Sequence, residues 1–444
     1  MSASGWFLCV AVVGLVFTLN ALAPRRRPTS LVGVSFFSAW LTTELAEIHL
    51  VWQAVAIGLF VATGALHAWT GDLALALTAL SWIGLVHIVT LALRTRAFID
   101  DALRDLPPLE AVTPVRSPFR RAIARNPRRA GVEKIKNLAY VDDGDRRHRL
   151  DVYRPKVDPE DGERDNAGAG APVLLQIHGG GWMIGEKKQQ GLPLMYQLAS
   201  RGWVCVAINY RLSPRATWPD HLIDCKQALA WVKQHIAEYG GDPARVVVTG
   251  GSAGGHLTAM LGLTANDARF QPGFEDVDTS VRAFVPVYAV YDFTDRNGIR
   301  GKRDALRWIL EKRIVKLLRD ANFDVFDLAS PMSHVHDGVP PCFVIHGSLD
   351  NLVPVEEARA FVGLLRAAST APVAYAELAG AHHAFDVFPS LRSVLMVDGV
   401  ERFASWAVSD SARSVAARSA DGAPASATGP TTTAHTEPSP TLQG

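Results

Sequence analysis

Apolar residues in this chain are arranged in two ways. Up to about residue 96 they form long unbroken runs; from about 131 to 408 they form short runs separated by amphipathic stretches. Gly5–Ala23 is an uncharged apolar run closed by Arg25-Arg26-Arg27. At about 1.5 Å per residue it is long enough to cross a hydrocarbon core. Leu50–Trp69 and Leu73–Leu93 are two further runs of spanning length, with a predicted turn at Thr70-Gly71-Asp72. Between the first and second lies Leu31–His49, apolar to Leu41 and then carrying Glu44, Glu47 and His49. It abuts the next run without a loop, which predicts an interfacial or re-entrant helix over about 31–48. A secretory signal ending at Ala21-Leu22-Ala23 is the rival reading of the first run. That run lacks a charged start, and a signal leaves the later runs unexplained. Residues 1–96 are therefore predicted to be a membrane region of transmembrane helices.

The second regime alternates strands with helices. Ile135–Val141 and Arg149–Tyr153 predict a hairpin through Asp142-Asp143-Gly144-Asp145. Val173–Ile177, Val204–Ile208, Val246–Thr249, Ala283–Tyr288, Phe343–Ile345 and Val373–Leu378 read as buried strands, with helical patterns such as Leu222–Tyr239 between most of them. Strands apolar on both faces and alternating with helices predict an α/β fold with a mostly parallel central sheet. Phe293–Leu328 interrupts the alternation. Leu306, Leu310, Ile314 and Leu317 recur there at helical spacing among Arg303, Arg307, Lys312, Arg313, Lys316 and Arg319. This predicts a helical lid insertion, with anionic membrane as a further contact. Residues 97–130 form a basic Pro/Arg-rich linker, Arg154–Pro172 a charged loop, and 409–444 an Ala/Ser/Thr/Pro tail too poor in large apolar groups to order.

Charge and cysteine content narrow the classes. A net charge of +1 over 444 residues gives no pull toward nucleic acid. Arginines follow the first and last spans (Arg25 to Arg27; Arg94, Arg96, Arg104), while the 70–72 turn has no cation. The positive-inside rule then puts the N-terminus outside and the soluble part on the cytoplasmic face of a cell membrane. Cys9, Cys205, Cys225 and Cys342 show no metal spacing and read as small hydrophobes, with a Cys205–Cys225 bridge left open. His67 and His87 fall near opposite ends of the proposed hairpin, too far apart to share a metal.

Four loops, each just after a strand, carry chemistry. Gly250-Gly251-Ser252-Ala253-Gly254 joins a strand to a helix whose Leu257, Met260, Leu261 and Leu263 face inward, the setting in which G-x-S-x-G exposes a nucleophilic serine. His178-Gly179-Gly180-Gly181-Trp182 can turn bare N–H groups toward one point, as an oxyanion requires. Asp350, in His346-Gly347-Ser348-Leu349-Asp350, can orient an imidazole. His382 and His383 are two candidate bases. The order Ser252, Asp350, histidine matches that of α/β-hydrolases.

With those loops, and with Asn209-Tyr210-Arg211-Leu212-Ser213-Pro214 and Gly241-Asp242-Pro243-Ala244-Arg245, the chain resembles the hormone-sensitive-lipase-like carboxylesterases of the α/β-hydrolase superfamily over roughly residues 133–406. The resemblance implies Ser252 as nucleophile, Asp350 as acid and His383 as base, since His383 precedes a small residue and Phe385. It implies Gly180, Gly181 and Ala253 as oxyanion donors. Two positions depart from the family: Gly251 and Asn209 stand where aspartates are common, which brings amidases of the kynurenine-formamidase type into range. The expectation is a membrane-anchored serine esterase or lipase acting on acyl esters without metal or cofactor. A formamidase and an inactive membrane scaffold are the alternatives, and the oligomeric state is open.

Overall fold

A computed structural model describes residues 2–25, 29–106, 131–156, 170–301, 305–387 and 389–409. Residues 107–130 of the linker, most of the 154–172 loop and the tail beyond Ser409 lie outside the described residues. The N-terminal part consists of α1 (Ala3–Leu22), α2 (Thr29–Glu44), α3 (Ala46–Ala62), α4 (Trp69–Leu93) and α5 (Thr95–Ala102). Among the described residues two helices are long and apolar enough to cross a membrane: α1, with mean hydropathy 2.1, and the run Trp69–Ala102, with 2.0. α2 and α3 meet at 84°.

Packing shows how these helices lie. Phe7 of α1 clusters with Ala74 of α4 and with Ile57 and Phe60 of α3. Ala21, at the other end of α1, clusters with Leu85 and Ile88 of α4 and with Ala46 and Leu50 of α3. The three helices are therefore side by side, with α3 antiparallel to the other two. Thr18 and Ser81 hydrogen-bond between α1 and α4 at 2.8 Å, and Gln53 of α3 reaches Ser81 at 3.3 Å. Such polar links hold helices together where water is excluded. A Cβ on Gly84 would stand 2.5 Å from Thr18 Cγ2, so glycine sets the spacing of α1 and α4. Because α2 joins the end of α1 to the start of α3, both its termini lie at one end of the bundle. It runs across that end.

The break before α4 differs from the predicted turn. Thr70, Gly71 and Asp72 form the first turn of α4, and the chain reverses at Thr63–Ala68 instead. Gly64, at φ +78°, ends α3. A Cβ on Gly71 would stand 1.9 Å from the Ala65 carbonyl oxygen, so this glycine serves close approach. Asp72 suits a helix N-terminus, where the dipole favours a carboxylate. The start of the predicted linker is also ordered. α5 covers 95–102, with Ile99 and Leu103 buried among Met396, Val400 and Phe403.

The remaining chain forms one eight-stranded sheet, ordered β1-β2-β4-β3-β5-β6-β7-β8. β1 (Val132–Ala139) pairs antiparallel with β2 (Arg149–Pro155), and β2 antiparallel with β4. β3 (Ala171–Ile177) is followed by α6 (Leu192–Ala199), β4 (Val204–Ile208) and α7 (Asp220–His235). β5 (Gly241–Gly251) leads into α8 (Ala253–Leu263), then β6 (Ala283–Val287) and β7 (Cys342–Gly347). α9 (Val355–Ala368), β8 (Val373–Leu378) and α10 (Leu391–Ala407) complete the fold. From β4 to β8 all pairings are parallel. Val246, Val248, Leu175 and Val206 face one apolar layer while Val247, Leu174 and Cys205 face another, so the sheet is buried on both sides. The four cysteines are free, Cys205 and Cys225 included.

The insertion between β6 and β7 is not one continuous helix. A short helix, Ala305–Ile309, widens over Leu310–Ile314, and a second helix covers Phe323–Leu328. Leu310, Ile314 and Phe326 are buried in the core, whereas Lys316 has φ +62° and Leu317 faces solvent. The left-handed residue at 316 breaks the helical spacing that ran from 306 to 317.

Candidate active site

β5 carries the chain into the corner at Ser252, which adopts φ +58° and ψ −123°. A non-glycine residue there is strained, and it stays only because its surroundings hold it. The Ser252 N–H bonds the Val287 carbonyl oxygen at 3.0 Å, and its own carbonyl accepts from His256 at 2.9 Å. The flanking glycines are required by contact. A Cβ on Gly250 would stand 2.5 Å from the Ile177 oxygen, and one on Gly254 2.3 Å from it. The serine corner is thus pressed against the end of β3.

The structure brings Ser252, His383 and Asp350 together. Ser252 Oγ lies 2.8 Å from His383 Nε2, and His383 Nδ1 lies 2.6 Å from Asp350 Oδ2. Asp350 is fully buried, and its Oδ1 accepts from the N–H groups of Leu352 and Val353 at 2.9 and 2.8 Å. Burial pushes this carboxyl up, but the His383 charge and the hydrogen bonds from His346 and His383 outweigh it. The group ends well below its usual range. An ionised carboxylate only accepts, so Nδ1 of His383 carries the proton and Nε2 is free to accept from Ser252. His382, the other candidate base, points elsewhere: its Nε2 meets the Ala21 carbonyl oxygen at 2.9 Å.

The glycine loop after β3 lies beside the serine. A Cβ on Gly179 would stand 3.2 Å from Ser252 Cβ and 2.5 Å from the Gly251 oxygen. Gly180, Gly181 and Trp182 all have positive φ, at 117°, 59° and 58°. Among the described residues none accepts from the N–H groups of Gly180, Gly181 or Ala253. The 209–214 motif braces this loop from behind. Tyr210 donates to the His178 carbonyl at 3.0 Å, and the Ser213 N–H donates to that of Trp182 at 2.9 Å. Asn209 Oδ1 takes the Lys187 N–H at 2.8 Å. Asn209 therefore needs only an amide oxygen here, and a carboxylate is dispensable.

Gly251 has a comparable explanation. A Cβ there would stand 2.4 Å from the Tyr288 hydroxyl. Tyr288 donates to the half-buried carboxylate of Asp386, and its ring lies 4.7 Å from that of His383. Burial and the Asp386 charge hold the Tyr288 hydroxyl well above its usual range, so it keeps its proton. The Tyr288–Asp386 pair occupies the place where an aspartate at 251 would reach. Sequence reasoning missed both residues, and also His346, whose Nε2 lies 3.3 Å from Asp350 Oδ2.

It also missed contacts from the N-terminal bundle. Trp40 of α2 donates its Nε1–H to the Ala384 oxygen at 2.9 Å, and Asn351 donates to the Arg25 oxygen at 3.2 Å. The Glu44 carboxylate accepts from Ser390 at 2.5 Å and from Arg392 Nε at 3.2 Å, with both partners of the ion pair buried. The loops bearing Asp350 and His383 are therefore tied to the end of the bundle that α2 crosses. Among the described residues no group of three or more His, Cys, Asp or Glu side chains is placed to hold a metal ion.

The BD-FAE family matches residues 150–365. The probable carboxylic ester hydrolase LipM of Mycobacterium tuberculosis is 41% identical over 411 residues, 89% of this chain and 92% of that protein. Esterase LipQ of the same organism is 45% identical over 261 residues, 59% of each chain. The solved structure of a truncated carbohydrate esterase from gut microbiota aligns with TM-score 0.51 at 25% identity, covering 61% of this chain and 96% of that one. On these grounds the chain belongs to the hormone-sensitive-lipase-like carboxylesterases of the α/β-hydrolase superfamily.

Proposed function

We propose that this protein hydrolyses carboxylic esters through an acyl-enzyme on Ser252 and is held at a membrane by its N-terminal helices. The observation that carries the reading is the unbroken relay from Ser252 Oγ through His383 to Asp350, at 2.8 and 2.6 Å. His383 Nε2 takes the serine proton as Oγ attacks the ester carbonyl. The oxyanion is received by the N–H groups of Gly180, Gly181 and Ala253, the last at the positive end of α8. Collapse of the tetrahedral intermediate breaks the bond to the alcohol, which leaves with the proton from Nε2. Water then attacks the acyl-enzyme with the same base, releasing the acid. Asp350 remains ionised throughout, holding the imidazole in position and stabilising its charged form.

The membrane part of the reading rests on α1 and the Trp69–Ala102 run, each long enough to cross, with α3 beside them. Arg25, Arg94, Arg96 and Arg104 all lie at the end of the bundle that carries the catalytic domain, which favours a cytoplasmic active site. The test is hydrolysis of p-nitrophenyl esters by the full chain in detergent, with a formamide assayed alongside. Ser252→Ala is expected to abolish ester turnover while the protein stays folded. Equal turnover by that variant refutes the nucleophile, and faster cleavage of the formamide refutes the ester preference.

A further inference from the structure

α2 has two apolar sides with different neighbours. Phe36, on the inner side, is buried and stands edge-on to the His383 ring, centroids 6.2 Å apart. Trp40 stacks on Phe36 at 5.9 Å while its indole N–H is held by the Ala384 oxygen. Leu31, Val34, Phe37 and Leu41 recur every three or four residues on the outer side, and all are exposed. No charge occurs in this helix before Glu44, which is buried.

The occupant of that outer stripe follows from what adjoins it. α1 leaves Val12, Val13, Val16 and Phe17 uncovered, and α4 leaves Leu80, Ile83 and Val86. An apolar exterior of this extent, on helices of spanning length, is suited to lipid rather than water. α2 crosses the bundle end at 84° to α3, the attitude of a helix lying along the interface rather than continuing α3 across the bilayer. A helix lying along that plane sits near the boundary of headgroups and acyl chains, where lipid ester groups also lie.

We propose that α2 is the wall between the bilayer and Ser252, and that the substrate is a membrane-resident acyl ester entering past this helix. Its acyl chain stays against Val34, Phe37 and Leu41, while its carbonyl passes the helix edge to the Phe36–His383 contact. This assigns the access role to α2; the 293–328 insertion packs instead on Trp182 and Trp218, through Phe293 and the Ile314 carbonyl. The proposal rests on the esterase reading above and adds the class and route of the substrate.

The experiment compares two substrates for the full chain reconstituted in phosphatidylcholine vesicles: 4-methylumbelliferyl palmitate held in the vesicle, and dissolved p-nitrophenyl acetate. Val34→Asp and Phe37→Asp put a charge on the outer stripe. Each is expected to lower the ratio of vesicle-borne to dissolved ester turnover about tenfold. A wild-type ratio in both variants overturns the proposal. A second measurement does not depend on those variants. A diacylglycerol bearing a diazirine on its acyl chain, irradiated with the Ser252→Ala protein, is expected to label 29–44; labelling confined to other segments overturns the proposal. Wild-type protein that cleaves only the dissolved ester overturns the lipid route and leaves the esterase reading standing. Protein that cleaves neither ester removes the esterase reading itself.

Discussion

Replacing Glu44 by glutamine tests whether the N-terminal bundle is fastened to the catalytic domain through its buried ion pair. Glu44 and Arg392 have side chains only 1% exposed, with Nε and Oε1 3.2 Å apart. Arg392 also donates to the Ala379 oxygen at 2.9 Å, just before the histidine loop. Glutamine keeps the volume and an acceptor for Ser390, but it leaves the guanidinium charge buried without its counterion. Removing one partner of a buried pair costs about 3–5 kcal/mol. That cost is relieved when α2 swings away and water reaches Arg392, so it appears as easier opening of α2. The expected acceleration of amide hydrogen exchange over 29–44 is on the order of a hundredfold to a few thousandfold. Mass spectrometry of the protein in micelles reads it, with β5 peptides as the internal reference. Replacing both residues by leucine removes both charges and is expected to be milder than either single change, giving a coupling of several kcal/mol in a double-mutant cycle. Exchange over 29–44 within about threefold of wild type, below 1 kcal/mol, refutes the reasoning. So does an equal acceleration in β5.

Three further outcomes follow from the site. His383→Ala is expected to reduce kcat by at least a thousandfold, and Asp350→Asn by about ten-thousandfold, because the amide favours the wrong imidazole tautomer. His382→Ala is expected to keep most of the activity; a dead His382→Ala beside an active His383→Ala refutes the assignment. Gly251→Ala forces a methyl group against the Tyr288 hydroxyl at 2.4 Å, with an expected loss of about 1–3 kcal/mol, read as a lower urea midpoint. An unchanged midpoint refutes that packing account. Finally, burial pushes His178, His221 and His382 down to about 4 from 6.5, and His256 to about 3. These groups fold in their neutral form, so their contribution is complete above pH 6.5 and is lost as pH falls through 4. Each shift corresponds to roughly 3 kcal/mol or more, and the urea midpoint is expected to drop steeply between pH 6.5 and 4. A flat profile there contradicts the burial of these rings.

The serine corner, the glycine loop and the order of Ser252, Asp350 and His383 were legible because each is local. A strand, a turn and a helix announce themselves within a dozen residues, and loops after parallel strands gather at one edge of the sheet. What was not legible depends on distant pairs. Trp40 and Ala384 are 344 residues apart, and Tyr288 and Asp386 are 98 apart. No periodicity near either residue reports its partner. Gly251 looked like a departure from a family pattern because the tyrosine filling its space comes from the end of β6. The turn expected at 70–72 fails for the same reason: Thr70-Gly71-Asp72 suggests a bend, but Gly71 is needed for close approach to Ala65. Helical spacing in 293–328 is legible, whereas the burial of Leu310 and Ile314 in the core depends on partners elsewhere in the chain. The helix beside His383 is legible as an apolar helix over about 31–48, but its contact with the site is not, because Phe36 and His383 are far apart in the chain.

The central claim is that Ser252 is the nucleophile of this relay, and active-site labelling tests it most directly. A fluorophosphonate applied to the full chain in membranes is expected to add once, on Ser252, in step with loss of ester hydrolysis. The Ser252→Ala protein is expected to remain unlabelled and inactive. Stoichiometric labelling of another residue, or ester turnover that survives Ser252→Ala, contradicts the account.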